Sequence, residues 1–429
     1  MTRTAIVLFT RDLRVHDHPA LAAACAAFDR VVPLYVLDPA LAGHSPNRTR
    51  FLHQSLAALR DALRERGGDL VLRHGDPVAE TIRLAGEVGA EGIGLSADVS
   101  RYARARERRL RAECERHRLH LRLFPGLTVV DPGAVRPAGG DHYRVFTPYF
   151  RAWQGALWRE ESAPPDRVRL PDGLAAGARP DESTAGSRPD GLPVGELPAP
   201  PKGESPHAVP GGEAAARRRL AQWLPTVDGY GDIHDDLAGD ATSRLSPYLR
   251  FGCLSPLELA NRAGERAGDP GGARFGPFVR QLCWRDFYHQ VTAAFPEIAT
   301  KAYRRGATED WRHDPEALDA WARGRTGLPI VDAGMRQLRA EGWMHNRARL
   351  ITAGYLTKVL GLDWREGVAV FSRWLLDGDV ANNAGNWQWV AGTGNDSRPH
   401  RGFNPTRQAA RFDPDGAYVR RWVKGGAPC

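Results

Sequence analysis

Between residues 377 and 389 the chain reads Asp-Gly-Asp-Val-Ala-Asn-Asn-Ala-Gly-Asn-Trp-Gln-Trp: two acids, a run of amides and two indoles within thirteen residues. Amides and carboxylates meet the heteroatoms at the edge of a flat polar ring and indoles meet its faces, so this mixture suits a large aromatic ligand with redox chemistry better than a packed core. Tryptophan is concentrated nearby: nine of the twelve lie between Trp284 and Trp422, with Trp311 and Trp364 ahead of the pair Trp387 and Trp389. If the segment is helical, the members of that pair point about 200° apart. One would face the ligand and the other an open cavity, where an indole stacks a base. A row of indoles from ligand to surface would let an electron hop outward.

Three further groupings carry chemistry. Thr242-Ser243-Arg244-Leu245-Ser246, before Pro247, sets three hydroxyls and a guanidinium where a helix should begin. It reads either as a diphosphate cradle or as a plain N-cap. On a helix expected over 274–294, Gln281, Trp284, Arg285 and Tyr288 fall in one stripe, either a cavity wall with Trp284 as its stacking face or a Trp and an Arg packed under a loop. The run from Gly342 to Leu350 opens another helix, with Asn346, Arg349 and Leu350 on one face and Arg347 turned away. One arginine would serve the ligand and the other solvent-side phosphates, unless both are simply solvated.

The elements that must position these residues fall into two regimes. Short apolar runs at 4–9, 31–37, 69–73, 91–95 and 119–124 alternate with helical periodicity at 49–66, 77–88 and 101–118. That βαβ order predicts a doubly wound α/β domain with a parallel sheet over residues 1–132. No Gly-x-Gly-x-x-Gly follows the first strand, so a dinucleotide is not assigned there. A Pro-, Gly- and Ser-rich stretch, clearest from about 160, makes 133–212 an interdomain linker. From Glu213 helical patterning dominates, at 213–224, 255–267, 274–294, 315–323, 328–341, 345–360 and 364–376, so 213–429 is expected to be an all-α domain.

With 429 residues, 42% hydrophobic and 26% charged, the chain is long enough for two cores. No apolar run approaches the roughly eighteen residues of a spanning helix, and the N-terminus lacks a cleavage signal, so no membrane is expected and the cytoplasm is the expected location. The five cysteines are scattered without a Cys-x-x-Cys pair, which points to neither disulfides nor zinc, and no metal is expected. A net charge of +8 admits a polyanionic partner.

Taken together these residues resemble the DNA photolyase and cryptochrome family over nearly the whole chain. The resemblance rests on Arg11-Asp-Leu-Arg-Val-His-Asp17, Tyr143-Arg-Val-Phe-Thr-Pro148, Thr242 to Ser246, Trp284-Arg-Asp-Phe-Tyr288, Gly327-Leu-Pro-Ile-Val-Asp-Ala333, Gly342-Trp-Met-His-Asn-Arg347 and 377–389. It is closest in character to bacterial class I cyclobutane pyrimidine dimer photolyases, with cryptochrome-type signalling and (6-4) repair as rivals. It implies an FAD in the helical domain, held by Tyr230, Thr242, Ser243, Arg244, Leu245, Ser246, Phe278, Arg285, Asn346, Arg349, Asp377, Gly378, Asp379 and Asn383. Asn383 would lie beside flavin N5, and Trp387, Trp364 and Trp311 would form the electron-transfer triad. Light-excited reduced FAD would pass an electron to the dimer and recover it after the ring splits. Gln281, Trp284, Tyr288, Asn346, Arg347, Trp389, Arg401 and Gln408 would meet damaged DNA, single- or double-stranded, with Gln281 and Asn346 nearest the chemistry. The implied protein is a monomer.

Several positions depart from the family pattern. Gln281 stands where dimer photolyases commonly carry Glu, and Leu350 replaces a frequent Met. His234 occupies the place of a DNA-contacting Arg, and the chain stops at Cys429, where weaker packing is expected. Asn346 follows His345 where a (6-4) enzyme would have a second histidine, and this favours dimer repair. An antenna pigment is implied in the N-terminal domain. Asp98-Val-Ser-Arg-Tyr102 lacks the Asn-Glu pair expected for methenyltetrahydrofolate, so a deazaflavin is favoured, with Arg48 and Asp98 as contacts or else as surface charges.

Overall fold

The computed structural model describes residues 2–172, 174, 199–266, 275–307, 309–396 and 402–424. Its N-terminal part is a parallel sheet of β1 (Thr4–Phe9), β2 (Arg30–Leu37), β3 (Val71–His74), β4 (Gly92–Ser96) and β5 (His120–Phe124), in the spatial order β3-β2-β1-β4-β5. The central strand is buried along its whole length. An uninterrupted Ala-Ile-Val-Leu-Phe run is what a strand covered by helices on both faces needs.

Those helices are α1 (Pro19–Ala27), α2 (Pro46–Arg64), α3 (Pro77–Val88) and α4 (Arg101–His117). Ser45, Asp76 and Ser100 accept from backbone N–H groups of the first turns of α2, α3 and α4, and α3 stops at Gly89 in the left-handed region. Helix α1 is not among the elements that the periodicity predicts. Pro-Ala-Leu-Ala-Ala-Ala-Cys-Ala-Ala has no polar face to reveal a period, yet small side chains let it lie close to β1, β2 and β4.

The stretch expected as linker is partly core. Within it α5 (Phe146–Gln154) buries Phe146, Tyr149 and Trp153, residues at i, i+3 and i+7 of a helix too short to stand out beside the proline-rich run that follows. Further on, Ser205 is fully buried and receives a hydrogen bond from Asn47 Nδ2 at 2.8 Å.

From residue 213 the described chain is helical: α6 (Glu213–Trp223), α7 (Tyr230–Ile233), α8 (Ser246–Phe251), α9 (Pro256–Arg266), α10 (Pro277–Ala294), α11 (Pro315–Ala322), α12 (Pro329–Glu341), α13 (Asn346–Gly354), α14 (Trp364–Trp374), α15 (Val380–Ala391), α16 (Pro405–Phe412) and α17 (Ala417–Val419). The single helix expected over 345–360 ends as α13 at Gly354 and widens into a π-helical turn over Tyr355–Val359. The chemistry-rich segment 377–389 becomes the approach to α15 and most of that helix.

Sheet and helices share one apolar core, which runs from Val7 and Phe51 through Trp153 to Phe287 and Ala384. Polar clamps lock the seam. The buried Arg14 guanidinium donates to the carbonyls of Asp17, Gly126 and Gly252, and Glu213 accepts from Val15 N at 2.8 Å. Gly252 sits at φ +65, where a Cβ would stand 2.2 Å from the Arg11 carbonyl oxygen. Gly252→Ala therefore combines left-handed strain with a backbone clash and should destabilise the protein by about 2–4 kcal/mol. Urea unfolding measures this, and an unchanged midpoint would show that the loop after β1 is not held as described.

Candidate active site

Helices α7, α8, α10, α13 and α15 enclose a cavity of about 450 Å³. Tyr230, Thr242 through Ser246, Phe278, Gln281, Trp284, Arg285, Tyr288, Asn346, Arg347, Arg349, Asp377, Asp379, Asn383, Trp387 and Trp389 all line it. Segments more than a hundred residues apart thus converge on one hollow. Gly378 is not on the wall, but its carbonyl accepts from Arg250 Nε at 3.1 Å.

Helix α10 contributes the stripe seen in the sequence. Trp284 has one face covered by Phe146 of α5, with ring centroids 3.6 Å apart and planes 3° from parallel. That stack fixes the indole plane; Phe146 belongs to the Tyr143–Pro148 motif, but no role at the site was expected of it because it falls in the stretch read as linker. The neighbour Asp286 accepts from Val129 N, Val130 N and Trp153 Nε1, each at 3.0 Å, which ties α10 to the sheet side. Burial raises the Asp286 carboxyl to about 6. Across the cavity, a Cβ on Gly385 would stand 2.2 Å from the Tyr288 ring, so glycine is what lets α15 lie against α10.

Helix α15 is capped by Asp379, whose Oδ1 accepts from Asn382 N and Asn382 Nδ2, each at 2.9 Å. Asn383 donates its amide to Ser372 Oγ at 3.1 Å and to the Val368 carbonyl at 3.3 Å. This anchoring leaves its Oδ1 as an acceptor, in the orientation the hydrogen bonds assign.

Three arginines expected to meet the cofactor or DNA phosphates are held by carboxylates. Arg349 pairs with both oxygens of Asp377, at 3.1 and 2.8 Å. Arg347 does not turn away from the cavity: it pairs with Asp235 at 2.7 and 2.8 Å and lies over the Phe412 ring at 4.2 Å. Arg244 donates to Asp240 at 2.7 Å and to Glu341 at 3.1 and 3.2 Å, so its guanidinium is not free for a diphosphate. Nor is 242–246 a plain N-cap. The cap position of α8 is Leu245, which makes no side-chain cap bond, Ser246 Oγ accepts from Trp343 Nε1, and Thr242 Oγ1 is buried without a protein partner. A buried hydroxyl with no partner at a cavity wall fits a ligand oxygen. Arg250, which the sequence reading passed over, also lines the cavity, and burial pushes its guanidinium down to about 9.

The indoles gather on one side. Trp387 and Trp364 are buried, Trp311 is half-buried against the same apolar cluster, and none of the three indole N–H groups has a hydrogen-bond partner. The rings packed on Trp387 are Phe371, at 4.9 Å, and Trp321, at 6.0 Å. Trp321 sits in the tryptophan-rich region, but no motif marked it. Trp389, two residues on, is only half-buried.

Some expected residues lie elsewhere. Gln408 is half-buried on α16, on the same face as Phe412 but off the cavity wall, and Arg401 lies outside the described residues. His234 stacks on Tyr230 at 5.2 Å. Arg48 is not a surface charge: its guanidinium reaches the Ser372 and Leu375 carbonyls across the seam. Asp98 is buried beside Arg11 at 3.6 Å.

Family profiles match both halves: one described as DNA photolyase over residues 5–168 and one described as the FAD-binding domain of DNA photolyase over residues 278–427. A deoxyribodipyrimidine photo-lyase of Streptomyces griseus is 49% identical over 98% of this chain and 89% of its own length. The chain belongs to the DNA photolyase family. The corresponding photo-lyase of Escherichia coli is 36% identical, covering 98% of this chain and 89% of its own. A crystal structure of a bacterial class III photolyase from Agrobacterium tumefaciens superposes with a TM-score of 0.87 at 33% identity, over 99% of this chain and 87% of that one. A cryptochrome DASH of Natronomonas pharaonis is also similar, at 36% identity over 98% of this chain and 90% of its own. This photolyase is therefore a lyase of DNA repair and an FAD flavoprotein, with the α/β and all-α architecture of its relatives. Among the described residues no helix is long and apolar enough to cross a membrane.

One histidine beside the photolyase cavity offers a pH test. His289 donates from Nδ1 to the Arg285 carbonyl at 2.8 Å, and its Nε2 is buried without a partner. Burial, reinforced by Arg285, pushes it down from 6.5 to about 4. Between these values the unfolded chain holds a proton that the native state lacks, so this group makes stability fall as pH drops from about 6.5 to about 4 and does nothing above that window. His289→Gln should flatten the stability slope in that window by about 1.4 kcal/mol per pH unit relative to the parent. Parallel slopes in urea titrations of the two proteins would refute it.

Proposed function

We propose that this photolyase uses light to split cyclobutane pyrimidine dimers in DNA, with reduced FAD in the cavity as electron donor and an extruded lesion against the open side. The observation that carries this reading is that one cavity is lined both by Asp377, Asp379 and Asn383 and by the exposed Gln281 and the half-buried Trp284 and Trp389. Donor and lesion would then share a single hollow with no protein layer between them.

Reduced FAD, when bound, supplies light absorption and the electron. The protein's part is binding and orientation. Thr242 Oγ1 and Ser243 suit the diphosphate, and Asn383 Oδ1 suits an N–H at the ring edge. Trp387, Trp364 and Trp311 suit a relay for refilling the donor with electrons. Photolyases are themselves among the enzymes that take their target out of the base stack, and Trp284, with its plane fixed by Phe146, and Trp389 offer faces for the exposed bases. Asn346 and Tyr288 add polar edges. Arg347, Arg401 and Gln408 remain the proposed backbone contacts, with Arg347 exchanging Asp235 for a phosphate. A monomer in the cytoplasm is the simplest working form.

An antenna pigment belongs, on this reading, in the crevice at the ends of β1 and β4, where the strand order reverses. Asp98 lies there, and the buried Arg106, whose Nε and Nη2 have no hydrogen-bond partner, is a better candidate than Arg48. A deazaflavin remains preferred to a folate.

The similarity to a cryptochrome DASH supports a second reading, light sensing without repair. A dimer-containing oligonucleotide incubated with the FAD-reduced protein under blue light decides between them: restored thymines are expected, and none at full FAD occupancy would leave the sensing role. Offering a (6-4) lesion in parallel tests the choice that Gln281 opens. In the same assay Trp387→Phe should lose most photoreduction of FAD while chemically reduced protein still repairs, and retained photoreduction would remove Trp387 from the relay.

A further inference from the structure

Arg11 follows β1, in the half of the chain that does not form the cavity, yet its guanidinium reaches Asp379, which lines it. Nη2 donates to Asp379 Oδ2 at 2.5 Å, while Nη1 lies 3.6 Å from Asp98 Oδ2 beyond β4. The side chains of Arg11, Asp98 and Asp379 are 12%, 7% and 6% exposed, so water does little to screen them. The other Asp379 oxygen caps α15, the helix that carries Asn383 and Trp387. The capping carboxylate of a cofactor helix thus takes its counter-ion from the sheet.

The surroundings make that counter-ion necessary. Burial alone would raise the Asp379 carboxyl, but Arg11, with Arg250 and Arg285 behind it, holds it well below the usual carboxylate range. Arg250 and Arg285 lie further off, the first bound to the Gly378 carbonyl and the second to the Leu127 carbonyl. Burial pushes His289 down to about 4, so near neutral pH it carries no charge to replace a lost guanidinium.

We propose that Arg11 is a positioning residue for the flavin, acting through Asp379. It keeps that carboxylate ionised and seated as the cap of α15, and it cancels the negative charge that would otherwise oppose electron gain by a ring in the cavity. A lone carboxylate in a poorly screened wall repels an electron-rich neighbour, whereas a carboxylate paired at hydrogen-bond distance does so far less. The inference rests on FAD occupying the cavity.

The test uses the FAD-containing protein and reads the midpoint potential of the bound flavin, the rate of FAD release and the urea midpoint. Arg11→Gln should shift the potential to a more negative value and speed FAD release roughly tenfold, as expected when one partner of a buried pair is removed. In an Asp379→Asn background the same substitution should leave the potential where Asp379→Asn alone puts it. A single variant that keeps FAD at the parent potential, or a shift of undiminished size in the Asp379→Asn background, overturns the proposal. If Arg11→Gln does not fold, Arg11→Lys decides. It retains the charge but cannot span both carboxylates, so potential near the parent value with faster FAD release is expected, and unaltered release refutes the role. Failure of the unsubstituted protein to hold FAD would instead refute occupancy of the cavity.

Discussion

Charge brought to the wall of a water-poor cavity has to be cancelled by protein, because a buried ion without a partner is unstable by several kcal/mol. Nearly every charged side chain at this site obeys that constraint through a carboxylate–guanidinium pair: Arg349 with Asp377, Arg347 with Asp235, Arg244 with Asp240 and Glu341, Arg11 with Asp379. The pairs join distant segments, so satisfying the charges also draws α7, α8, α12, α13 and the end of β1 around one hollow. Arg250 departs from the pattern, since its hydrogen bond runs to the Gly378 carbonyl, while Arg285 bonds the Leu127 carbonyl and lies 3.8 Å from Asp286. A cavity floor with that residual positive character favours an occupant bearing phosphates or gaining electrons over a neutral one.

The aromatic side of the site is built by subtraction. Gly367 and Gly385 lie where a Cβ would stand 2.2 Å from the rings of Trp387 and Tyr288 respectively, so these two large rings of the inner wall occupy space that any other residue would fill. Behind them Phe371 and Trp321 pack against Trp387, and Phe146 packs against Trp284. Rings locked on one face keep the other face at a constant angle, which is what the proposed reading requires of a site that would hold two flat groups within electron-transfer distance. The unpartnered N–H groups of Trp387, Trp364 and Trp311 add a related point: nothing in their surroundings ties these indoles to a fixed polar partner.

Much of this was legible in the residue order. Strands covered on both faces read as apolar runs, and the stripe Gln281, Trp284, Arg285, Tyr288 admitted a cavity wall, beside a Trp and an Arg packed under a loop, because a core stripe would have no amide or cation. What stayed hidden was pairing. Arg347 at a helix start looks the same whether it awaits a phosphate or holds Asp235, and only tertiary structure decides. Helix α1 escaped because small residues carry no period, and α5 because its nine residues precede a long Pro- and Gly-rich stretch whose composition dominated the reading. Phe146 and Trp321 escaped for a related reason, since a supporting ring has no chemistry of its own to single it out.

The seam between sheet and helices changes how the α/β half should be regarded. Residues 10–17 follow β1 and touch the helical half at almost every step: Arg11 reaches Asp379, Leu13 N meets the Phe251 carbonyl, Arg14 reaches Gly252, Val15 meets Glu213, and Asp17 takes Arg159 and Ser255. A domain merely appended to the cavity would be joined by an exposed, polar, easily hydrated interface. Here the joining groups are buried, and several are charges that solvent cannot replace. The Asp98 and Asp379 carboxylates lie on either side of the Arg11 guanidinium, so a single side chain joins the loop after β4 to the cap of α15. The sheet thus stands behind the cavity wall rather than in it, and the Arg-Asp-Leu-Arg segment ties it to Asp379 and Gly252.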